Sequence, residues 1–271
     1  MKLSIIILNY KSFSELDGAL QALQQFPSRQ ETEIIIVDNN SDQPLEEKAF
    51  LETWGRGVRF IKNAENVGFG KGNNIGVAQA FGQYLLVHNP DVRVWEGALD
   101  EAIGYLETHP TVGILGGQLR FPEGTIQDSY RTFPSLFDQV IKRAEFLRRH
   151  RSLRRRVSTY LMWEKDPSVT ESVDWVVGGF MFIRKKAFEA LNGFDERYFL
   201  FMEDVDLCRQ MWMHGWQVVY HPTVKATHNE HRLSEGGFLE LFTRKTLRIH
   251  LASACKYFWK YKFIPHPRAK R

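Results

Sequence analysis

The sequence predicts an α/β fold on a largely parallel sheet, and three observations carry that expectation. Residues 3–8 (LSIIIL), 33–37 (EIIIV), 58–61 (VRFI) and 84–87 (YLLV) are short, nearly continuous apolar runs rich in β-branched residues, as strands covered on both faces are. Between them lie stretches of helical periodicity at 14–26, 45–53, 71–81 and 95–108, the last stopped by His109-Pro110. Strand and helix alternating in this way link parallel neighbours by crossover helices. Later elements are less regular. Residues 120–170 are basic and turn-rich and read as an insert, with FPEGTIQDS and RTFPS as its turns. Residues 203–212 predict a helix with Val205, Cys208 and Trp212 on one stripe and Gly215 just past its end. Residues 216–220 predict a strand, and 234–261 a helix on the spacing of Phe238, Leu241, Leu247, Leu251 and Tyr257.

Composition sets the class. With 271 residues, 43% hydrophobic and 25% charged, the chain has the make-up of a soluble globular protein. No apolar run approaches the roughly 18 residues that span a bilayer. The N-terminal apolar stretch reads as a first buried strand rather than a signal peptide. Cys208 and Cys255 are the only cysteines, which suits a reducing cytoplasm. The net charge of +4 is unevenly spread: residues 142–156 (KRAEFLRRHRSLRRR) hold eight Lys or Arg and one Glu. The tail from Cys255 (CKYFWKYKFIPHPRAKR) alternates cations with aromatics. Either run is a solvated face or a contact for an anionic membrane surface, lipid phosphate or nucleic acid.

In open α/β sheets, ligands bind beyond the carboxyl ends of the strands. Here those ends are Asn9-Tyr10, residues 38–42 (DNNSD), 63–72 and 88–91 (HNPD), all polar and two of them acidic. Each alone reads as turn chemistry; four on one edge predict a site. The glycine-rich stretch 65–77 (ENVGFGKGNNIGV) looks like a phosphate loop, but it fits neither the dinucleotide fingerprint nor the P-loop in any frame.

The segments SIIILNY, IIIVDNNSD, ENVGFGKGNNIG, VHNPDV and WVVGGFMFIRKKAFEALNGFDERYFLFMEDVDL, in that order over about residues 3–237, resemble glycosyltransferase family two and its rhamnosyltransferase-like branch. The resemblance implies a GT-A fold, a mostly parallel Rossmann-like sheet flanked by helices. It implies a domain at 1–237, with a nucleotide-sugar-binding half at 1–118, an acceptor and catalytic half at 119–237 carrying the basic insert, and a basic aromatic helical tail at 238–271. It further implies a dTDP- or UDP-activated sugar donor, dTDP-L-rhamnose foremost, inversion at the anomeric carbon, and Mg2+ or Mn2+. The acceptor it points to is a bacterial surface glycan or a polyprenyl-linked precursor, reached at the inner face of the plasma membrane.

Carried over position by position, Asp38 corresponds to the base-binding aspartate, with Asn9 and Tyr10 beside it. Asn66, Gly68, Lys71 and Asn74 line the donor loop, where Asn73 replaces the arginine of many relatives. Asn89 and Asp91 replace the D-x-D pair, and Asp91 with His228 forms the expected metal site. Asp204 corresponds to the catalytic base, with Glu203 and Asp206 as alternatives; Trp175, Gly178, Gly179 and Glu203 fall on the acceptor side. A helix-start position would favour the Asp204 anion and so weaken it as a base. Two other readings fit worse. A nucleotidyltransferase of sugar phosphates usually needs a glycine-rich loop after the first strand, which LNYKSFSE lacks. A nucleic-acid binder leaves the strand-end carboxylates unexplained, so no nucleic-acid partner is expected.

Overall fold

The computed structural model describes residues 1–135, 151–229 and 245–268. Residues 142–150 of the basic run, His231, and 234–244 of the expected last helix lie outside these. The first four strands form where the apolar runs predict them: β1 (Leu3–Asn9), β2 (Thr32–Asp38), β3 (Arg59–Lys62) and β4 (Tyr84–His88). They lie in the parallel order β3-β2-β1-β4, joined through α1 (Phe13–Gln25), α2 (Pro44–Trp54) and α3 (Phe69–Val77). Four more strands continue the sheet beyond β4. β10 (Phe180–Arg184) runs antiparallel between β4 and β6 (Val112–Arg120), so a strand from the second half of the chain sits in the middle of the sheet. β11 (Gln217–His228) lies parallel to β6 and carries β5 (Val92–Val94) and β8 (Glu171–Ser172) on its other edge. A separate short ladder pairs β7 (Tyr130–Arg131) with β9 (Trp175–Val176), and α5 (Arg151–Tyr160) lies between them in the chain.

Both faces of the sheet are covered, which is why the strands read as continuous apolar runs. Ile6, Ile35, Val37, Leu85, Val87, Met181 and Ile183 point to one side. There they meet α3, α6 (Lys185–Ala190), α7 (Glu203–Met213) and α8 (Lys245–Tyr261). The alternate residues Ile5, Ile7, Ile36, Leu86, Phe180 and Phe182 meet α1, α2 and α4 (Ala98–Thr108) on the other side. This alternation is the period-2 side-chain rule of a strand buried on both faces.

Three elements differ from expectation for local reasons. β11 is 12 residues long and runs through Pro222, because a register shift between His221 and Lys225 absorbs the residue that has no N–H to give. α4 begins at Ala98 because Gly97 is in a left-handed conformation (φ 77°). α3 spans Phe69–Val77, with Gly70, Gly72 and Gly76 of the glycine-rich stretch inside it rather than in a loop. A Cβ at Gly72 would lie 2.5 Å from Leu8 Cδ1, and one at Gly76 2.6 Å from Ile6 Cγ2. Those glycines let the helix backbone rest directly on β1.

Candidate active site

Strand register brings the donor-side residues together. Asn9 and Asp38 are partners at the ends of β1 and β2. Both are fully buried. Asn9 Nδ2 donates to Asp38 Oδ1 (2.8 Å) and lies 3.1 Å from Ser41 Oγ. The backbone N–H of Ser41 donates to Asp38 Oδ2 (3.0 Å), and the Ser41 hydroxyl donates to Asp38 Oδ1. With no exposed surface and three donors on its carboxylate, Asp38 braces two loops. Asp38 and Asn9 thus stand at the strand ends beside Tyr10, at the edge where the base contact is expected. Tyr10, 45% exposed at the same edge, remains open to a ligand. Asn39, which the sequence reading passed over, locks the next loop. Its amide donates to Asn66 Oδ1 (2.8 Å), while its Oδ1 accepts from Asn63 Nδ2 (3.0 Å) and from the backbone N–H of Val67 (3.1 Å).

Two positions of the donor loop are fixed by the loop before α7. Gly68 adopts φ 88°, and a Cβ there would fall 2.2 Å from the Phe199 carbonyl, so only glycine allows this close approach. Asn74 spends its amide on Phe194, accepting from its N–H and donating to its carbonyl (both 2.9 Å), and so ties α3 to the loop before α7. Lys71 is exposed, with Glu196 3.9 Å away.

At the end of β4 the chain turns through Asn89-Pro90-Asp91 into β5, whose antiparallel pairing places Val92 opposite His228. Asp91 Oδ2 thereby comes 3.4 Å from His228 Nε2. Asp91 Oδ1 is buried without a hydrogen-bond partner. Gln127 fixes the imidazole: its Nε2 donates to the His228 carbonyl (2.8 Å), which turns its Oε1 toward His228 Nδ1 (2.9 Å). With Nδ1–H given to Gln127, Nε2 faces a carboxylate, and a cation is required between them. A proton or a metal ion satisfies that requirement, and an imidazole oriented by an outer hydrogen bond is how metal-ligating histidines are held. Among the described residues no third His, Cys, Asp or Glu joins the pair. This suits a hard cation that completes its shell with diphosphate oxygens and water. Nothing in the sequence marked Gln127, which sits 101 positions from His228.

The acidic centre lies one strand away. β10 pairs with β4 so that the Asn89 N–H donates to the Gly179 carbonyl (2.8 Å). A Cβ at Gly179 would meet Asn89 Nδ2 at 2.7 Å, and one at Gly178 would meet Asp204 Cβ at 3.1 Å. The approach these glycines permit is thus that of the protein's own Asn89 and Asp204. Before α7, Phe201 (φ 68°) and Met202 (φ 73°) both adopt left-handed conformations, a strained entry of the kind that clusters at functional sites. It delivers Glu203 and Asp204 to the first turn. Asp204 accepts from the backbone N–H groups of Gly178 (3.1 Å) and Val205 (2.8 Å). Burial nevertheless holds its pKa above the ordinary carboxylate value; the Gly178 and Val205 hydrogen bonds and the Arg131 charge pull the other way. Desolvation therefore outweighs the weakening expected from the helix start. Burial, and then the Asp204 charge, push Glu203 up to about 8, and its Oε2 has no partner. Asp206 is committed elsewhere, bonded to Lys260 Nζ and the Tyr261 hydroxyl (both 2.8 Å).

Trp175 sits at the start of β9. It is 6% exposed, donates its indole N–H to the Thr132 carbonyl (2.8 Å), and lies 5.1 Å from the Arg131 guanidinium. Arg131 itself, which the sequence reading left within a turn-rich insert, stands close enough to Asp204 to act on its charge.

Residues 4–191 match the family described as glycosyl transferase family 2, and residues 164–232 match the N-terminal domain of galactosyltransferase. The chain is 28% identical over 241 residues to the N-acetylglucosaminyl-diphospho-decaprenol L-rhamnosyltransferase of Mycobacterium tuberculosis, covering 84% of this chain and 76% of that protein. It is 30% identical over 244 residues to rhamnosyltransferase WbbL of Escherichia coli, covering 85% and 83%. Among solved structures, GalNAc-T7 with UDP, GalNAc and Mn2+ superimposes with a TM-score of 0.64 at 14% identity, over 84% of this chain and 44% of that one. That likeness establishes the fold. Together these matches place the chain in glycosyl transferase family 2, on its rhamnosyltransferase-like branch.

Proposed function

We propose that this glycosyltransferase moves L-rhamnose from dTDP-L-rhamnose, with inversion, to a hydroxyl of a glycan carried on a lipid diphosphate. The observation that supports the reaction class is the Asp91–His228 pair two residues beyond Asn89, which packs on Gly179 while Asp204 of the Glu203-Asp204 pair packs on Gly178. The two relatives named as rhamnosyltransferases favour the sugar, and the name of the mycobacterial one favours the carrier.

In this reading the donor diphosphate lies at the end of β4 and the acceptor approaches from the α7 side. The acceptor oxygen forms a bond to the anomeric carbon as the bond to the diphosphate breaks. Its proton passes to Asp204, and the bonding electron pair leaves with the nucleoside diphosphate. The raised pKa of Asp204 makes it a better proton acceptor than a solvated aspartate would be. Glu203, held protonated at neutral pH, spares Asp204 a second adjacent negative charge. Asp91 and His228 are the residues that would hold Mg2+ or Mn2+, which when bound neutralises charge on the leaving diphosphate. Tyr10 borders the base, and Asn66, Lys71 and Asn89 stand on the donor side.

The test is a thermal-shift screen of dTDP-, UDP- and GDP-sugars with and without Mg2+ or Mn2+. Stabilisation by dTDP-L-rhamnose that needs metal, and that is lost in Asp91→Asn, is the expected outcome. A GDP-sugar stabilising best, or no nucleotide stabilising at all, refutes the donor assignment.

A further inference from the structure

The outer face of α8 carries a row of exposed apolar side chains. Leu251 (46% exposed), Cys255 and Trp259 (73%) follow one another at four-residue intervals on the helix side turned away from the core. Phe263 (85%) and Ile264 (39%) continue the stripe past the helix end. A residue at each successive i+4 position shares one helix face. This face is apolar where a solvated helix would be polar, and two of its members are large aromatics. Two cations, Arg248 and Lys262, flank it; of the other Lys and Arg in residues 246–268, Lys256 and Lys260 are held on the opposite face and Arg268 bonds Asp174, and the segment contains no Asp or Glu. Arg248 stands one turn before Leu251, and the Lys262 ammonium lies 3.6 Å from the Trp259 ring centroid and 4.8 Å from that of Phe263.

The opposite face of the same helix is anchored. Leu247 and Tyr257 are buried, Ser253 Oγ donates to the Leu200 carbonyl (2.9 Å), and Lys256 Nζ donates to the Arg197 carbonyl (2.6 Å). Lys260 Nζ lies 2.8 Å from both Asp195 and Asp206. Arg209 Nη1 donates to the Tyr257 hydroxyl (3.2 Å), and its Nη2 to the Ile264 carbonyl (2.9 Å). Asp206 and Arg209 belong to α7, the helix whose first turn carries Glu203 and Asp204. The apolar stripe is therefore rigidly joined to the catalytic helix.

We propose that this stripe is an interfacial membrane anchor, which seats Leu251, Trp259 and Phe263 in the headgroup boundary of an anionic bilayer. Aromatic residues sit at that depth because they offer an apolar body and a polarisable face, and flanking Lys and Arg add attraction to anionic headgroups. A bilayer-seated α8 holds α7 at a fixed height over the membrane, so a hydroxyl near a lipid diphosphate meets Asp204 without the lipid leaving the bilayer. No helix among the described residues is long and apolar enough to cross a membrane, so the contact is with the surface.

Flotation of the full chain with vesicles tests this independently of any transfer reaction. Phosphatidylcholine vesicles are compared with vesicles that also contain phosphatidylglycerol. Binding to the anionic vesicles should fall at least about tenfold in the Trp259→Ala/Phe263→Ala double variant, about 1.4 kcal/mol. Lys262→Glu should weaken it further at low salt than at high salt. Unchanged melting of the variants is expected, since the replaced rings are exposed. Equal flotation of the native chain and the double variant overturns the proposal. So does a fall in sedimenting mass on substitution in the absence of lipid, which would make the stripe a contact between copies of the chain. Metal-dependent nucleotide stabilisation without vesicle binding would sink the anchor and leave the proposed reaction standing.

Discussion

Asp204→Asn is the substitution whose outcome the structure constrains most. Asparagine keeps the volume of the side chain but cannot take the acceptor's proton. A positioned general base contributes about 10²–10⁴ in rate, so kcat should fall by that factor, about 3–5 kcal/mol in the barrier. The fold should change much less, because two effects oppose. One of the two backbone N–H groups that now point at the carboxylate, from Gly178 and Val205, would meet an amide NH2 and lose its acceptor, which costs about 1–3 kcal/mol. Against that, a half-buried charge disappears beside Glu203, whose pKa the Asp204 charge helps to raise. Steady-state transfer assays, with thermal melts and calorimetric nucleotide titrations in Mn2+, separate the three quantities. A kcat loss of 10² or more with nucleotide affinity within threefold is expected. A variant that keeps kcat within tenfold of the native enzyme would refute Asp204 as the base. If Glu203→Gln loses more activity than Asp204→Asn, the roles of the two carboxylates are reversed.

Two further outcomes follow from the same geometry. Glu203 is held protonated in the fold to about pH 8 but ionises near 4.5 when unfolded, so the native state binds the extra proton between those values and stability falls as pH rises through that window. Glu203→Gln should flatten that slope in urea midpoints measured from pH 5 to 9, and an unchanged slope would place the effect on another group. Gln127→Leu removes the acceptor that orients His228, and should weaken Mn2+ binding about 10–100-fold by paramagnetic resonance titration; an unaltered affinity would make Gln127 a packing residue only.

Period and turn chemistry in the sequence determined the first four strands and their crossover helices. Runs such as SIIIL and EIIIV bury all their apolar side chains only as strands in a sheet covered on both sides. Asp91, Glu203 and Asp204 were legible as candidates only together, since turn chemistry and the helix dipole each account for an acidic residue at an element end. Tertiary structure decided how those residues are used, since each use depends on a partner distant in the chain. Asp38 became a buried brace because β1 and β2 align it with Asn9 and Ser41 closes over it. The glycines of 68–76 serve close packing against β1 and the Phe199 loop, which no local pattern reveals. Gln127 reaches His228 only because the chain folds back on β6, which pairs with β11. The basicities of Glu203 and Asp204 are set by burial, a property of everything packed around them.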